Sequence, residues 1–509
     1  MTTILDRLDD LDPAIEAAFS KSPIPGLAIG ILYDGKLVHE KYLGNASLKN
    51  KAPIDATTIF RLASISKTFT TIGILQLWES GKLKLDDPVN AFLPKGKVLV
   101  KKGWPEVTFL HLLTHQAGIG EVLRKRDAFK PGFGLLVSGR DTPIPRLSTI
   151  HDSNMKTEVP AGSKYSYSNI GFSLLGYIIE QLSGEPFRDY MIKHVLDPVG
   201  MTTSDFIPSD RIGTKEAAGY KQVRGRPVPA KYYQNIIMPA GNLYSNISDM
   251  ARYVSVLLAG GRLPGGGSLL KPATIEMAWT PRYWAHDLLM HEASIGLCFH
   301  LYRVNGTRVV EHTGATSGFT SAMSLIPSEN AAVLVLSNHD EIFATRSTLQ
   351  IKHAILEHLL GKSSHGSSSS LTEPAIAKKA AGYYGPLPGL LTNIRIIAYY
   401  GGDFKVQNRD GRLFLSTFYG AKHRGVEMIP AETRGVYTIT STKVDDAKPE
   451  HVAFIEGTDG KITGLALDFF KLRKNIFINT FRFKVYAIIT LIALLGMVVF
   501  LLAVLLTLS

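Results

Sequence analysis

Two residues three positions apart, Ser64 and Lys67, form the pair in this sequence best suited to covalent chemistry. They stand in the run Ile59 to Leu83, which reads IFRLASISKTFTTIGILQLWESGKL. Apolar residues follow at helical spacing: Phe69, Ile72, Ile74, Leu75, Leu77 and Trp78. The pattern predicts a helix whose first turn carries a hydroxyl and an amine on one face. Such a pair can act as a nucleophile and its base.

A second polar motif precedes another predicted helix. Turn residues from Pro160 onward lead into Tyr167, Ser168 and Asn169, and an apolar helix is predicted from Ile170 to Leu182. A tyrosine and an asparagine just before a helix could project into a cleft. By itself this triplet is weak support for a site.

The third motif lies in a strand-like run, VVEHTGATSGFTSAMSLI, from Val309 to Ile326. Within it stand His312, Thr313 and Gly314. The run predicts an edge strand whose glycine lets a ligand lie against the backbone. A histidine alone would be interpreted as structural, and its two neighbours favour a binding role instead.

Short motifs also arise by chance in this chain. S-x-x-K recurs at Ser268 to Lys271, and Y-x-N recurs at Tyr233 and at Tyr244. Because Lys271 precedes Pro272, a helical lysine is disfavoured there. Context therefore selects Ser64, which alone opens a long apolar helix.

The three motifs, in this order and spacing, resemble those of the serine β-lactamase and penicillin-binding-protein superfamily. The nearest type is the class C β-lactamase group with its DD-peptidases, esterases and transacylases. The resemblance covers residues 10–360 and implies an α/β (α+β) domain, an antiparallel sheet flanked by helices with a helical subdomain. Further landmarks of that group are Leu112-Leu113-Thr114-His115, Pro160-Ala161-Gly162, Pro198-Val199-Gly200-Met201 and Ala240 to Tyr253.

The resemblance also implies a role for each motif residue. Ser64 would attack an acyl carbonyl and form an acyl-enzyme, with Lys67 or Tyr167 as the base. The backbone N–H groups of Ser64 and Ala315 would hold the oxyanion. Asn169 would hydrogen-bond the acyl group. No metal or cofactor is required, and the partner is a small-molecule acyl substrate.

One departure from the family pattern bears on the substrate. The β-lactamases of this group usually carry lysine where His312 stands, and a neutral imidazole is a weaker carboxylate anchor than an ammonium. His312, Thr313 and Gly314 are thus predicted to bind an ester, thioester or amide rather than a β-lactam. The alternatives are a β-lactamase or D-amino-acid peptidase (DD-carboxypeptidase), and a non-catalytic, membrane-tethered binding protein with the same fold.

Composition excludes several other functions. The chain of 509 residues has a net charge of +12, yet it contains no Lys/Arg run typical of a nucleic-acid arm. A single cysteine, Cys298, rules out an internal disulfide. His111 and His115 have the i, i+4 spacing of a zinc pair, but no third ligand accompanies them, so a structural role is predicted. The oligomeric state is left open.

Beyond the catalytic domain, the pattern changes to short alternating runs. Residues 361–370 (GKSSHGSSSS) have the composition of a flexible linker. Residues 371–478 predict an all-β domain, a small lipocalin-like barrel. Such a domain could be a spacer or a cover over the mouth of the active site.

The last apolar run predicts a membrane anchor. Residues 485–508 carry no charge and would form a helix roughly 36 Å long, enough for a hydrocarbon core of about 30 Å. Basic residues precede it, namely Lys471, Arg473, Lys474, Arg482 and Lys484. By the positive-inside rule we expect a single-pass C-terminal tail anchor with the catalytic domain in the cytosol. No cleavable signal peptide is evident near the first residue.

Overall fold

The chain folds into a mixed α/β domain followed by a closed β-barrel. The computed structural model describes residues 4–121, 130–341, 347–361, 374–389, 391–393, 402–417, 421–431, 433, 435–439, 450–476, 480 and 484. The predicted combination of an antiparallel sheet with flanking helices and a small barrel is confirmed.

The α/β domain is built on one large antiparallel sheet. Within the part of the chain described above, it has nine strands. In spatial order they are Tyr283–Trp284, Ser294–Ile295, His300–Val304, Thr307–Thr316, Phe319–Ile326, Ala331–Ser337, Gly26–Tyr33, Lys36–Ser47 and Ala52–Pro53.

Both faces of this sheet are buried, and each has its own core. On one face, Leu27 and Ile29 join a core completed by the helices Leu11–Ser20 and Ser347–Leu360. On the other face, Ala28 belongs to a larger core. Burial on both sides explains why the central strands are apolar at almost every position instead of alternating.

Helices cover both faces of the sheet and form a subdomain beside it, and one further helix, Pro374–Ala380, packs in the core of the barrel. Among the described residues they are Leu11–Ser20, Ser66–Glu79, Phe109–Leu113, Leu147–His151, Asn169–Ser183, Phe187–Met191, Asp197–Val199, Met238–Gly241, Ile247–Leu258, Pro272–Ala278, Ser347–Leu360 and Pro374–Ala380. Short strands connect them: Phe60–Ala63, Val98–Leu99, Leu136–Ser138, Met155–Lys156, Tyr220–Val223, Arg226–Pro229, Tyr233–Asn235, Leu243–Ser245 and His339–Asp340.

The helix Ser66–Glu79 runs through the larger core and is buried on nearly all sides. It is buried around its whole circumference, with several polar residues in its first two turns and mainly apolar ones from Ile72 to Leu77, as expected of a central helix and unlike an amphipathic surface helix. It ends at Ser80, and Gly81 follows with φ +74°, the left-handed conformation that terminates many helices. The predicted helix stop is therefore present.

The C-terminal domain is a closed barrel with its own apolar core. Its eight described strands are Gly382–Pro386, Phe404–Arg409, Arg412–Thr417, Val426–Pro430, Val436–Ile439, Glu450–Glu456, Ile462–Leu467 and Phe470–Asn475. Tyr384, Phe404 and Leu415 are among the side chains that fill its interior. Closure of the sheet removes the exposed strand edges that an open sheet of this size would present.

No helix among the described residues is both long and apolar enough to cross a membrane. The predicted anchor, residues 485–508, and the predicted linker after residue 361 lie outside the described residues. The membrane anchor stays a prediction.

Candidate active site

Ser64 lies in a tight turn between a strand and the central helix. The strand Phe60–Ala63 ends with Ala63 at φ +48°, an uncommon conformation for a residue with a side chain. The helix begins at Ser66, so Ser64 precedes the first turn instead of lying within it as predicted. Ser66 fixes the turn: its Oγ donates to the Ala63 carbonyl (2.6 Å) and accepts from the Leu243 amide (2.9 Å). Ser64 is left half-exposed, as a nucleophile must be.

The Lys67 amine reaches back to this turn. Its Nζ lies 3.0 Å from Ser64 Oγ and donates to the Ala240 carbonyl at 2.6 Å. The side chain has no solvent exposure. The same nitrogen stands 4.9 Å from the centre of the Tyr167 ring. Ser64 and Lys67 are thus in hydrogen-bond contact within a dry environment.

Tyr167 is held beside Lys67 by His115. The two rings stack at 4.2 Å between centroids, with an angle of 26° between their planes. His115 Nδ1 accepts from the Ser168 amide (3.1 Å), and its carbonyl accepts from the Ser166 amide (2.7 Å). His115 therefore supports the loop that carries Tyr167.

The other histidine of the predicted zinc spacing serves a helix end. His111 exchanges hydrogen bonds with Thr108 at the start of the helix Phe109–Leu113. In the described ranges, no three His, Cys, Asp or Glu side chains lie together in a way that could hold a metal ion. Both histidines thus have structural contacts of the kind the sequence predicts.

Asn169 is held by an acidic residue that the motif analysis missed. Glu121, almost fully buried, accepts from the Asn169 amide nitrogen of the backbone (3.3 Å) and from Asn169 Nδ2 (3.0 Å). Two bonds to one carboxylate orient the side-chain amide, whose oxygen then remains to accept from a substrate. The only sequence signal for Glu121 is its position six residues after the landmark Leu112-Leu113-Thr114-His115.

Gly314 brings the third motif against the nucleophile turn. A Cβ built on it would lie 2.1 Å from the Leu62 carbonyl oxygen and 3.0 Å from the Ser64 backbone nitrogen. Ser321 Oγ, on the neighbouring strand, donates to the same Leu62 carbonyl at 2.8 Å. Glycine is needed at this position because the backbone of the strand packs directly on the backbone of the turn. The sequence predicts a different reason, namely that a ligand lies against the glycine.

The strand that carries this motif, Thr307–Thr316, is not an edge strand. It pairs on one side with Phe319–Ile326 along its length and on the other with His300–Val304. The latter pairing ends at Glu311, opposite His300, so residues 312–316 extend past that neighbour. Only this end of an internal strand has the edge character predicted for the whole. Thr313 is half-exposed there and Ala315 is exposed, both accessible to a ligand.

His312 is buried and electrically neutral. Burial, together with the nearby His300 and Lys67, lowers the pKa of His312 well below its usual range. Its Nδ1 lies 2.8 Å from the Thr313 carbonyl, to which it can only donate, so the ring's lone pair is on Nε2. That Nε2 is buried without a hydrogen-bond partner among the described residues. The His300 ring stacks on the His312 ring, with 5.4 Å between the two ring centres.

Three elements far apart in the chain thus converge on Ser64. Comparison with known proteins now identifies the domain that they form, because the family model described as Beta-lactamase matches residues 11–354. The chain belongs to the beta-lactamase family. The resemblance inferred from the three motifs is confirmed.

Among curated proteins, this beta-lactamase-family chain is similar to Protein flp of Staphylococcus aureus strain N315. The identity is 23% over 415 residues, which cover 81% of this chain and 77% of the relative. It is also similar to a Beta-lactamase of Yersinia enterocolitica, with 26% identity over 353 residues, covering 64% of this chain and 84% of that protein.

Two solved structures share the fold. The octameric penicillin-binding protein homologue from Pyrococcus abyssi matches 92% of this chain and 100% of its own, with a TM-score of 0.59 and 24% identity. The class C beta lactamase from Rhodobacter sphaeroides matches 69% of this chain and 99% of its own, with a TM-score of 0.54 and 21% identity. The wider match of the first extends beyond the family domain into the C-terminal part of the chain.

Membership of the beta-lactamase family assigns this chain to a superfamily of serine hydrolases. The contact between Ser64 and Lys67 fits that class, since a nucleophile and a base within hydrogen-bond reach are its chemical requirement. The substrate and the reaction depend on the rest of the site.

Proposed function

We propose that this protein is a serine hydrolase or acyltransferase that works through an acyl-enzyme on Ser64. The observation that carries the proposal is the 3.0 Å contact between Lys67 Nζ and Ser64 Oγ, with the lysine fully buried. In its neutral form the amine can accept the hydroxyl proton over the same distance. This geometry favours Lys67 as the base for the attack.

In the first half-reaction, Ser64 Oγ forms a bond to the acyl carbonyl carbon while its proton passes to Lys67. The carbonyl oxygen, now negative, would accept hydrogen bonds from the amides of Ser64 and Ala315. Collapse of this intermediate breaks the bond to the leaving group. Tyr167, whose ring lies beside Lys67, would relay the proton to the departing alcohol, thiol or amine.

In the second half-reaction, an acceptor releases the acyl group from Ser64. Water as the acceptor gives hydrolysis, and an alcohol or amine gives acyl transfer; the same groups serve both reactions. The acceptor loses its proton to Lys67, and Ser64 recovers its own. Asn169, oriented by Glu121, would hold the acyl portion in both steps.

The properties of His312 favour an acyl donor that has no carboxylate next to the reacting bond. A neutral ring with a buried lone pair at Nε2 offers a carboxylate neither charge nor a proton. Because Nε2 is buried, a substrate does not reach it, and the neutral ring contributes no cation to the site. A neutral ester, thioester or amide fits this site better than a penicillin or a peptide with a free C-terminus.

The test compares labelling of Ser64→Ala with that of the unaltered protein. We expect an alkyl fluorophosphonate to label the unaltered chain but not Ser64→Ala. Esterase activity should be lost in the same variant, because the substitution removes only the hydroxyl group. Ser268→Ala is the matched control, since Ser268 belongs to the second S-x-x-K and is exposed. Intact mass before and after p-nitrophenyl butyrate would locate the acyl group.

Labelling that persists in Ser64→Ala, or is lost in Ser268→Ala, contradicts the proposal. Failure of the unaltered protein to label or turn over any acyl donor would favour the binding-protein alternative. Rapid hydrolysis of nitrocefin without ester turnover would favour a β-lactamase or D-amino-acid peptidase, and would contradict the role inferred for His312.

We also propose that residues 485–508 anchor the enzyme in a membrane, with the catalytic domain in the cytosol. The support is the uncharged run of 24 residues and the basic residues before it.

A further inference from the structure

A hairpin of the barrel inserts an aromatic residue into the catalytic domain. The strands Ile462–Leu467 and Phe470–Asn475 are joined by a two-residue turn, Asp468-Phe469. Asp468 has φ +45° and exchanges hydrogen bonds with His451 of the adjacent strand, through its backbone amide (3.0 Å) and its carboxylate (3.1 Å). The turn is thereby fixed to the barrel, and Phe469 projects from it in a defined direction.

Phe469 is buried against catalytic-domain residues. Its ring centre lies 5.0 Å from that of His300 and 5.6 Å from that of Tyr165. Tyr283 OH donates to its carbonyl at 3.1 Å. Only 9% of Phe469 is exposed, although it stands at the tip of a turn. A residue in such a position is normally solvated, so its burial shows a specific fit between the two domains.

These contacts lead directly to two of the three catalytic motifs. Tyr165 lies two residues before Tyr167, and Tyr167 packs against the same aromatic cluster. On the other side, the His300 ring stacks on His312. Phe469 therefore packs against Tyr165 and His300, the two residues that connect it to Tyr167 and His312.

A second set of contacts ties the loop before Tyr167 to the start of the barrel. Lys164 is buried, and its Nζ donates to the Pro388 carbonyl (3.0 Å) and to Asn393 Oδ1 (2.6 Å). Ser166 Oγ donates to the Thr392 carbonyl at 3.1 Å. These bonds fix the approach to Tyr167 independently of Phe469, so the barrel holds this side of the site at two points.

We propose that Phe469 is a specificity-determining residue that closes the leaving-group side of the substrate site and limits it to a compact apolar alcohol or amine. The inference rests on the proposed function, in which Tyr167 gives a proton to the leaving group. That group must then lie next to Tyr167 and meet the aromatic cluster built around Phe469. In the proposed function the acyl group is instead held by Asn169, which Glu121 orients.

The experiment uses the full chain and two series of esters. One series keeps a butyryl group and varies the alcohol from methyl to butyl to benzyl. Its hydrolysis is measured from the acid that is released. The other keeps p-nitrophenol and varies the acyl chain. Phe469→Ala removes about six carbons of wall, so we expect kcat/KM for the benzyl ester to rise roughly tenfold relative to the methyl ester. The acyl-chain profile should stay unchanged.

Phe414→Ala is the matched control. Phe414 is an aromatic residue of the same barrel, but its ring lies against Arg409 at 4.6 Å and outside the cluster. It should alter neither series. Phe469→Leu keeps most of the packing, and it should shift the alcohol series in the same direction by less, which guards against poor folding of the alanine variant.

Unchanged alcohol preference in both Phe469 variants, or a parallel change in both ester series, would overturn the inference. Ester turnover that still requires Ser64 would in that case leave the proposed function intact. If the unaltered chain turns over no ester in either series, the proposed function fails and the inference fails with it.

Discussion

At the scale of single residues, the buried His312 bears on the substrate class that we propose. Its Nδ1 is committed to the Thr313 carbonyl, and burial beside His300 and Lys67 keeps the ring neutral. The same position with an ammonium would attract a carboxylate, whereas this buried neutral ring would not. Under the proposed function, this side chain therefore favours a neutral acyl donor over one that carries a carboxylate.

The pH dependence of ester hydrolysis should show that His312 does not titrate. A lowered pKa means that the folded protein favours the neutral ring, so the charged form appears only at a more acidic pH than for an ordinary histidine. We therefore expect His312→Gln to reduce kcat/KM without moving the acid limb of its pH profile. His358→Gln is the control, since His358 lies on the helix Ser347–Leu360. An inflection near the usual histidine pKa that disappears only in His312→Gln would contradict this assignment.

At the scale of elements, the site depends on how closely one strand end approaches one turn. The strand Thr307–Thr316 touches the turn at Ser64 through Gly314, with backbone against backbone. Ser321, on the adjoining strand, adds a hydrogen bond to Leu62. This contact sets the distance between the nucleophile and the predicted oxyanion donor, Ala315.

Gly314→Ala should separate these elements and reduce catalysis more than stability. The added methyl group would overlap the Leu62 carbonyl, a backbone atom that cannot rotate away. A displacement of about 1 Å can lower kcat by roughly 100-fold. Gly30→Ala, in the same sheet, is the control, because its Cβ would meet a side-chain atom, Ile247 Cγ2, at 2.7 Å instead of backbone.

Both variants should lower the free energy of unfolding by about 1 to 3 kcal/mol through overpacking. Only Gly314→Ala should also lose esterase activity at a temperature where the variant is folded. Equal activity in the two variants, measured beside their urea denaturation curves, would show that the approach at Gly314 is not important for catalysis.

At the scale of the whole molecule, the barrel belongs to the catalytic unit. Phe469 enters the catalytic domain from one side of the barrel, and the bonds of Lys164 reach the barrel's first segment. Of the two interpretations open to the sequence, a spacer or a cover, these contacts favour the cover.

The proposed anchor predicts where the enzyme resides. Full-length protein should remain in the membrane pellet after carbonate extraction, because moving a 24-residue apolar helix into water is unfavourable. A chain ending at residue 484 should be released and retain esterase activity. Protease should digest the catalytic domain on intact organelles if it faces the cytosol. Release of the full-length chain by carbonate would refute the anchor.

Much of the fold and the site followed from local patterns. The helices after Ser64 and Asn169, the barrel strands and the convergence of three motifs all agree with the sequence. The start of the central helix was misplaced by two residues, because Ala63 adopts a left-handed conformation that no pattern indicated. The prediction that the strand of His312 is an edge strand was wrong. The order of strands in a sheet decides which of them lie at the edge, and no local pattern indicates that order.

By itself, the sequence determined the family and the residue at each motif position, and it predicted the pair Ser64 and Lys67, because spacing along a helix or strand is a local property. Only the tertiary structure decided that Glu121 holds Asn169, that Gly314 admits a backbone and that Phe469 lies behind Tyr167. Each of these is a contact between residues distant in the chain. Such contacts follow from packing and burial, which leave no periodic signal in the sequence.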